Sequence, residues 1–223
     1  MRKFFKFWQQ RFHFLYLEHF SRLQKSDLRT IKSAKTPIIL VAGIYASVRS
    51  LLPLKKFLES EGYSVYLPQK RKNYEAVPVL AKRLQERIKK IPTKKVQIIA
   101  HSMGGITTMK ALQDPKTFAK VSQVITLGSP LNGCILGSLA FWERRKNRKY
   151  LALFSRDIAK LNSNLKINKK VRTLYSRRDG VVFPKSMAKL RGAKENAELS
   201  VIGHVGLILA RSAWEEVLKR LVK

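Results

Sequence analysis

Short apolar runs alternate along the chain with stretches of helical spacing. The runs are bounded by turn residues or lysines and read as buried strands: PIILVAG (37–43), YSVYLP (63–68), VQIIA (96–100), VSQVITLGSP (121–130), VRTLYS (171–176) and AELSVI (197–202). Leu51–Glu61 reads as a helix closed by Gly62 just past its end. Residues 74–90 carry Val77, Leu80, Ala81, Leu84 and Ile88 on one stripe, with Pro78 in the first turn and Pro92 as the stop. Met103–Leu112 has helical composition, and residues 207–222 (LILARSAWEEVLKRLV) read as one closing helix. Residues 131–168 lack strand character and hold two helical patches, SLAFWERR and LALFSRDIAKL. Strand and helix alternate without an internal repeat. The pattern predicts an α/β fold: a doubly wound, mainly parallel sheet of about six strands with helices on both faces. Ligands of such sheets gather at the carboxyl ends of the strands.

Residues 1–30 follow a different pattern. Phe4, Trp8, Phe12, Leu15 and Leu23 fall on one helical face, with Lys3, Lys6, Gln10 and Arg11 largely off it. Such a helix either lies flat in a lipid interface or packs its aromatic face on the domain. Phe5, Phe7, Phe14 and Leu17 make the face wider than one docking contact needs, which favours the membrane. The expected organisation is a basic aromatic helix over residues 1–32 and an α/β domain over 33–223, with 131–168 as a small cap region.

Charge changes the picture of partners but not of fold. The 223 residues hold 46 Lys and Arg against 14 Asp and Glu, a net +32, spread along the whole length. A coat of this sign favours acidic lipid headgroups or another polyanion. Cys134 is the lone cysteine, so neither an internal disulfide nor a zinc-type spacing is available. No apolar run is long enough to span a bilayer, and Lys6, Arg11 and His13 interrupt what a signal peptide would need as its apolar centre. The expectation is a cytoplasmic protein, at most peripheral to the inner face of the membrane.

The chemistry centres on IIAHSMGG. A buried strand, a serine and a glycine-rich helix start make the arrangement that presents a nucleophile on a sharp turn, with Ala100 and Gly104 supplying the small residues such a turn needs. Taken by itself, Ser102 is also an ordinary helix N-cap. A serine needs a base and an orienting acid. Of four histidines, His13 and His19 lie in the leader. His101 points away from the site and reads as structural, while His204 (VIGHVGLIL) follows the last strand at the correct end. Of four aspartates, Asp179 (SRRDGVV) follows a strand at that same end. Asp179 alone reads as an Asp-Gly turn and His204 alone as a loop histidine. The three together, in the order Ser102, Asp179, His204, predict a catalytic triad. Two N–H groups are expected to hold the oxyanion: that of Met103, and one from the loop after the first strand, Ile44 with Tyr45 as its neighbour alternative.

On PIILVAGI, IIAHSMGG, VITLGSPLNG, RRDGVV and GHVGLI, which span residues 37–210, the sequence resembles the α/β-hydrolase superfamily, and most of all its small bacterial lipases and esterases. The resemblance implies ester hydrolysis through an acyl-enzyme at Ser102, with Asp179 and His204 as acid and base. The chain departs from the pattern at Ala42-Gly43, where such lipases read His-Gly, a change in the loop that shapes the oxyanion site. Its short 131–168 segment leaves room for a small cap, in which Phe141, Trp142, Leu151 and Phe154 line an acyl pocket or, as helical spacing favours, pack the cap itself.

The resulting expectation is a serine ester hydrolase acting on a lipid-like or other hydrophobic acyl ester, without cofactor or metal, at an anionic membrane surface reached through residues 1–30. Two rivals use the same sequence differently. An acyltransferase or thioesterase would employ the same triad. A nucleic-acid-binding module on a retired hydrolase fold would use the positive charge alone, against which stand the scattered basic residues and the absence of any nucleic-acid motif.

Overall fold

The structure is a computed structural model that describes residues 30, 32–43, 46–68, 75–135, 145–153 and 155–222. The leader helix expected over 1–32 lies almost wholly outside the described residues. Six strands form one sheet: β1 (Ile38–Val41), β2 (Val65–Tyr66), β3 (Val96–His101), β4 (Val121–Leu127), β5 (Val171–Arg178) and β6 (Glu195–Ile202). Their order across the sheet is β2-β1-β3-β4-β5-β6, and every neighbouring pair is parallel. The sheet is therefore all parallel, where the apolar runs predicted a mainly parallel one.

Period-two alternation within each strand splits the core between two faces. Ile39 and Val41 of β1 and Ile98 and Ala100 of β3 join the core beneath α2 (Val77–Lys90) and α3 (Met103–Ala111). Ile38 and Leu40 of β1 and Ile99 of β3 join the opposite core, beneath α1 (Leu52–Ser60). Helix α2 buries Val77, Leu80, Ala81, Leu84 and Ile88, the stripe read from its spacing, and Pro78 sits in its first turn. A short helix, α4 (Pro115–Lys120), precedes β4 and was not expected. Asp114 caps it, accepting from the Thr117 N–H at 2.8 Å and the Thr117 hydroxyl at 2.7 Å. The described part of 131–168 is helical in three pieces: α5 (Arg145–Leu151), α6 (Arg156–Asn162) and α7 (Leu165–Asn168).

The closing segment differs from its expected single helix. It forms α8 (Gly206–Leu209) and α9 (Arg211–Leu218), separated at Ala210, whose backbone is extended (φ −83°, ψ 128°). The break frees the carbonyl of Ile208, and the indole N–H of Trp214 takes it at 2.8 Å. Buried Gln97 and Gln123 then anchor the tail: Gln97 pairs with the Val222 backbone at 2.8 Å in both directions, and the Gln123 amide donates to the Arg220 carbonyl at 2.9 Å. No helix among the described residues is long and apolar enough to cross a membrane.

Candidate active site

Between the end of β3 at His101 and the start of α3 at Met103, one residue reverses the chain. Ser102 adopts φ 54° and ψ −131°, the sole positive φ outside glycine among the described residues. A backbone of this kind costs about 1–3 kcal/mol and persists where packing over-determines it. Here the serine N–H donates to the Leu127 carbonyl at 2.9 Å. A Cβ on Gly104 would lie 2.6 Å from the Val41 carbonyl oxygen and 2.8 Å from that of Ala42, so α3 starts against the backbone of β1. A Cβ on Gly105 would run into the Ser129 hydroxyl, and one on Gly43 would lie 2.9 Å from the Ser102 Cβ. These are the small-residue contacts the turn requires. Met103 opens α3, so its N–H has no carbonyl one turn back and stands at the positive end of the helix beside the serine.

The acid and base arrive on the loops after β5 and β6. Toward its end β5 shifts register between Ser176 and Arg178, and the Ser176 hydroxyl bridges the irregularity. It donates to the Val201 carbonyl at 2.6 Å and accepts the Arg178 N–H at 3.1 Å. The two loops are then stitched backbone to backbone, Gly203 N–H to Arg178 O at 2.9 Å and His204 N–H to Asp179 O at 2.8 Å. Their side chains meet: His204 Nδ1 is 2.9 Å from each Asp179 carboxylate oxygen. A carboxylate only accepts, so Nδ1 is the nitrogen that donates to it. Burial pushes the Asp179 carboxyl up. The imidazole hydrogen bond and charge, with the N–H groups of Val182 (2.7 Å) and Val181 (2.9 Å), outweigh it and hold the group below the ordinary aspartate range.

Two further residues shape this pair. Gly128, at φ +56°, ends β4 where a Cβ would lie 2.7 Å from Leu207, 2.9 Å from Asp179 Oδ2 and 3.2 Å from His204 Nδ1. A side chain there would wedge the acid and the base apart. His101 stacks on His204 with ring centroids 4.5 Å apart, and its Nε2 lies 3.3 Å from the His204 carbonyl oxygen. That oxygen can only accept, so Nε2 is the protonated nitrogen. Burial above all, with the neighbouring His204, lowers the His101 pKa to about 3, which keeps this imidazole neutral.

Ser102 thus follows a histidine that packs on His204, and bonds to Leu127, whose successor Gly128 lies against both partners of the hydrogen-bonded pair. The hydroxyl and the pair share one rim of the sheet. The described residues offer Ser102 Oγ no hydrogen bond, a looseness that sites without substrate commonly show. A shallow crevice next to the first turn of α3 is lined by Gly43, Leu80, Met103 and Asn147. Asn147 is buried and ties α5 to the start of α2, accepting from Val77 N–H at 3.0 Å and donating to the Glu75 carbonyl at 3.1 Å.

A family model described as the PGAP1-like alpha/beta domain matches residues 69–138, the stretch that includes α2, the serine turn and β4. Among solved structures, the mature form of a Bacillus licheniformis lipase superposes with a TM-score of 0.69 at 18% identity, over 86% of this chain and 94% of that one. Lipase B of Aspergillus fumigatus superposes with a TM-score of 0.67 at 19% identity, over 82% of this chain and 51% of that one, so the present chain matches about half of the fungal protein. An extracellular alpha/beta-hydrolase from a Paenibacillus species gives 0.58 at 15% identity, over 83% and 99%. The fold is that of the α/β-hydrolases. In this α/β-hydrolase fold, Ser102 occupies the turn between β3 and α3, and Asp179 and His204 occupy the loops after β5 and β6.

Not every expected site residue falls within the described α/β-hydrolase core. Met103 stands at the head of α3. Ile44 and Tyr45, proposed for the second oxyanion donor, lie outside the described residues, as do Phe141, Trp142 and Phe154 of the expected cap. Leu151 is buried in the core beneath α2 and α3 rather than lining an open pocket. His101 was expected to point away from the site; it instead lies against His204, because the strand ends one residue before the serine and turns the ring back under the next loop. Sequence reasoning assigns no individual role to Gly128 or Ser176. The Gly-Ser-Pro following a strand was the visible signal for the first; nothing announced the second.

Proposed function

We propose that this chain is a serine ester hydrolase that cleaves a hydrophobic acyl ester through Ser102, His204 and Asp179. The observation that carries the reading is the hydrogen-bonded Asp179–His204 pair, its carboxylate buried, on the rim that also bears the strained serine. The solved structures it resembles, lipases and an alpha/beta-hydrolase by name, support the same class. In the proposed reaction Ser102 Oγ attacks the ester carbonyl carbon while its proton passes to His204 Nε2. Asp179 stabilises the resulting imidazolium. The carbonyl oxygen becomes an oxyanion received by the Met103 N–H and by a second N–H from the loop after β1, for which Ile44 is the candidate. Collapse of the tetrahedral intermediate expels the alcohol, which takes the proton from Nε2. Water, deprotonated by the same nitrogen, then releases the acid and restores Ser102. None of these steps calls for a cofactor or metal. The +32 charge and residues 1–30 favour work at the anionic inner face of a membrane.

A fluorophosphonate probe tests the nucleophile, alongside hydrolysis of p-nitrophenyl esters of graded chain length. Labelling and turnover in the wild type, both lost in Ser102→Ala with folding retained, are the expected result. Labelling that persists in Ser102→Ala, or a wild type that neither labels nor turns over any ester, overturns the assignment.

A further inference from the structure

The loop that carries Asp179 also carries exposed apolar side chains. Phe183 is 60% exposed and Val181 36%, and the Phe183 carbonyl accepts the backbone N–H of Ile135, itself 36% exposed, at 3.3 Å. Half of the large apolar side chains exposed among the described residues are thus gathered beside the candidate catalytic acid. None of the three is needed to hold the carboxylate, which is gripped through the backbone N–H groups of Val181 and Val182.

The surroundings of this patch are cationic. Glu198 on β6 pairs with Lys185 at 2.6 Å and lies 4.0 Å from Arg177, and the charge of Lys189 also acts on it. One carboxylate among three cations leaves a local excess of positive charge, with exposed Arg178 next in the chain. Apolar side chains ringed by lysine and arginine suit an interface with an apolar interior and an anionic surface. They do not suit a second copy of this chain, which would bring like charges together.

We infer that the face made by Val181–Lys185, Ile135, Arg177 and Lys189 docks the mouth of the site onto an anionic lipid bilayer. This inference rests on the proposed function, since it orients the same serine toward an ester held in lipid. Phe183 and Val181 enter the headgroup boundary, while Arg177, Lys185 and Lys189 lie at the level of the lipid phosphates. The lysines at the amino ends of the strands then face away from the membrane.

The test uses the full chain in sedimentation with vesicles of phosphatidylcholine alone or containing phosphatidylglycerol. The triple variant Arg177→Gln, Lys185→Gln, Lys189→Gln should lose about fivefold in partitioning to anionic vesicles for each charge removed. Phe183→Ala should lose roughly tenfold. A control triple on the opposite rim, Lys94→Gln, Lys169→Gln, Lys194→Gln, should bind nearly as the wild type. All variants should hydrolyse p-nitrophenyl acetate, which needs no interface, at the wild-type rate. Wild-type vesicle binding by the mouth-side variants, equal losses in the control, or a Phe183-dependent dimer in solution without vesicles would each overturn the docking face. If vesicle binding follows the expected pattern while the wild type cleaves no ester, the docking stands and the hydrolase reading falls.

Discussion

The two ends of the sheet are built to opposite rules. At the carboxyl rim, backbone and side chains are forced into arrangements that a folding chain would not choose: a serine at φ 54°, a buried carboxylate and a glycine at φ +56° packed against the hydrogen-bonded Asp179–His204 pair. At the amino rim, a lysine stands immediately before each of four strands, Lys95 before β3, Lys120 before β4, Lys170 before β5 and Lys194 before β6. Three of these reach carbonyls at nearby helix ends: Lys95 at Ala119, Lys120 at Ile91 and Lys170 at Phe118 and Val121, each at 2.6–2.7 Å. There the charges answer helix-end carbonyls and complement the helix dipole. The first rim holds a geometry at a cost in stability; the second adjusts to the fold around it. Substitutions should therefore separate function from stability at one end, and at the other leave function untouched and stability affected only where a lysine serves backbone carbonyls.

The largest separation is expected at Ser102. Glycine adopts φ 54° without penalty, so Ser102→Gly should remove the nucleophile and relieve the turn together. Ester hydrolysis should fall by at least about 10³-fold, while stability to urea rises by about 1 kcal/mol. A variant that loses activity and also loses stability would show that the serine turn is not strained, and the contrast between the rims would lose its main support.

His101 sharpens the comparison through pH. Its pKa lies near 3 in the fold against 6.5 for a free imidazole. Between those values the unfolded chain binds a proton that the folded chain refuses, so this group favours folding above pH 6.5 and withdraws that favour as pH falls toward 3. The expected contribution is a loss of about 1.4 kcal/mol of stability per pH unit across the window. The groups facing the ring are His204, which opposes its protonation, and Asp179, which favours it. Urea unfolding of the wild type and His101→Gln at pH 7, 6, 5 and 4 isolates the term as the difference between the two slopes. Parallel slopes would mean that the ring takes up a proton in the folded state, and its role as a neutral prop beneath His204 would be gone.

What could be read in advance follows from the same asymmetry. The central strands were legible because burial on both faces leaves continuous apolar runs. The order of Ser102, Asp179 and His204 and their places after strands, which make them the candidate site, are visible without coordinates. The contact of His101 with His204 was not, because it depends on which way a ring turns at a strand end. The break at Ala210 was hidden since Leu207, Ala213 and Val217 keep an apolar rhythm across two short helices. The cap Asp114-Pro115 was in plain view, but it introduces a helix with little apolar periodicity of its own. The lysines looked like a scattered coat in sequence; the parallel topology gathers one of them to the start of each strand from β3 to β6.

That gathering yields the smallest expected effect. Lys94, Lys169 and Lys194 are exposed, and none makes an ion pair among the described residues. Glu195, the carboxylate at this rim, is engaged by Arg220 at 2.7 Å and Arg172 at 2.8 Å, so it is not available to them. Changing all three lysines to glutamine should alter stability by less than about 0.5 kcal/mol in 0.15 M salt, with a small gain that grows at low salt as like-charge repulsion is relieved. Lys170→Gln should behave differently. Its ammonium donates to two carbonyls and sits 3.8 Å above the Phe118 ring, and burial followed by the charge of Lys95 already holds its pKa below the usual value. Removing it should cost about 1 kcal/mol, because two carbonyls lose their donor. If the exposed triple proves as costly as Lys170→Gln, the charges at the amino rim are bracing the sheet, and the two rims are more alike than their geometry implies.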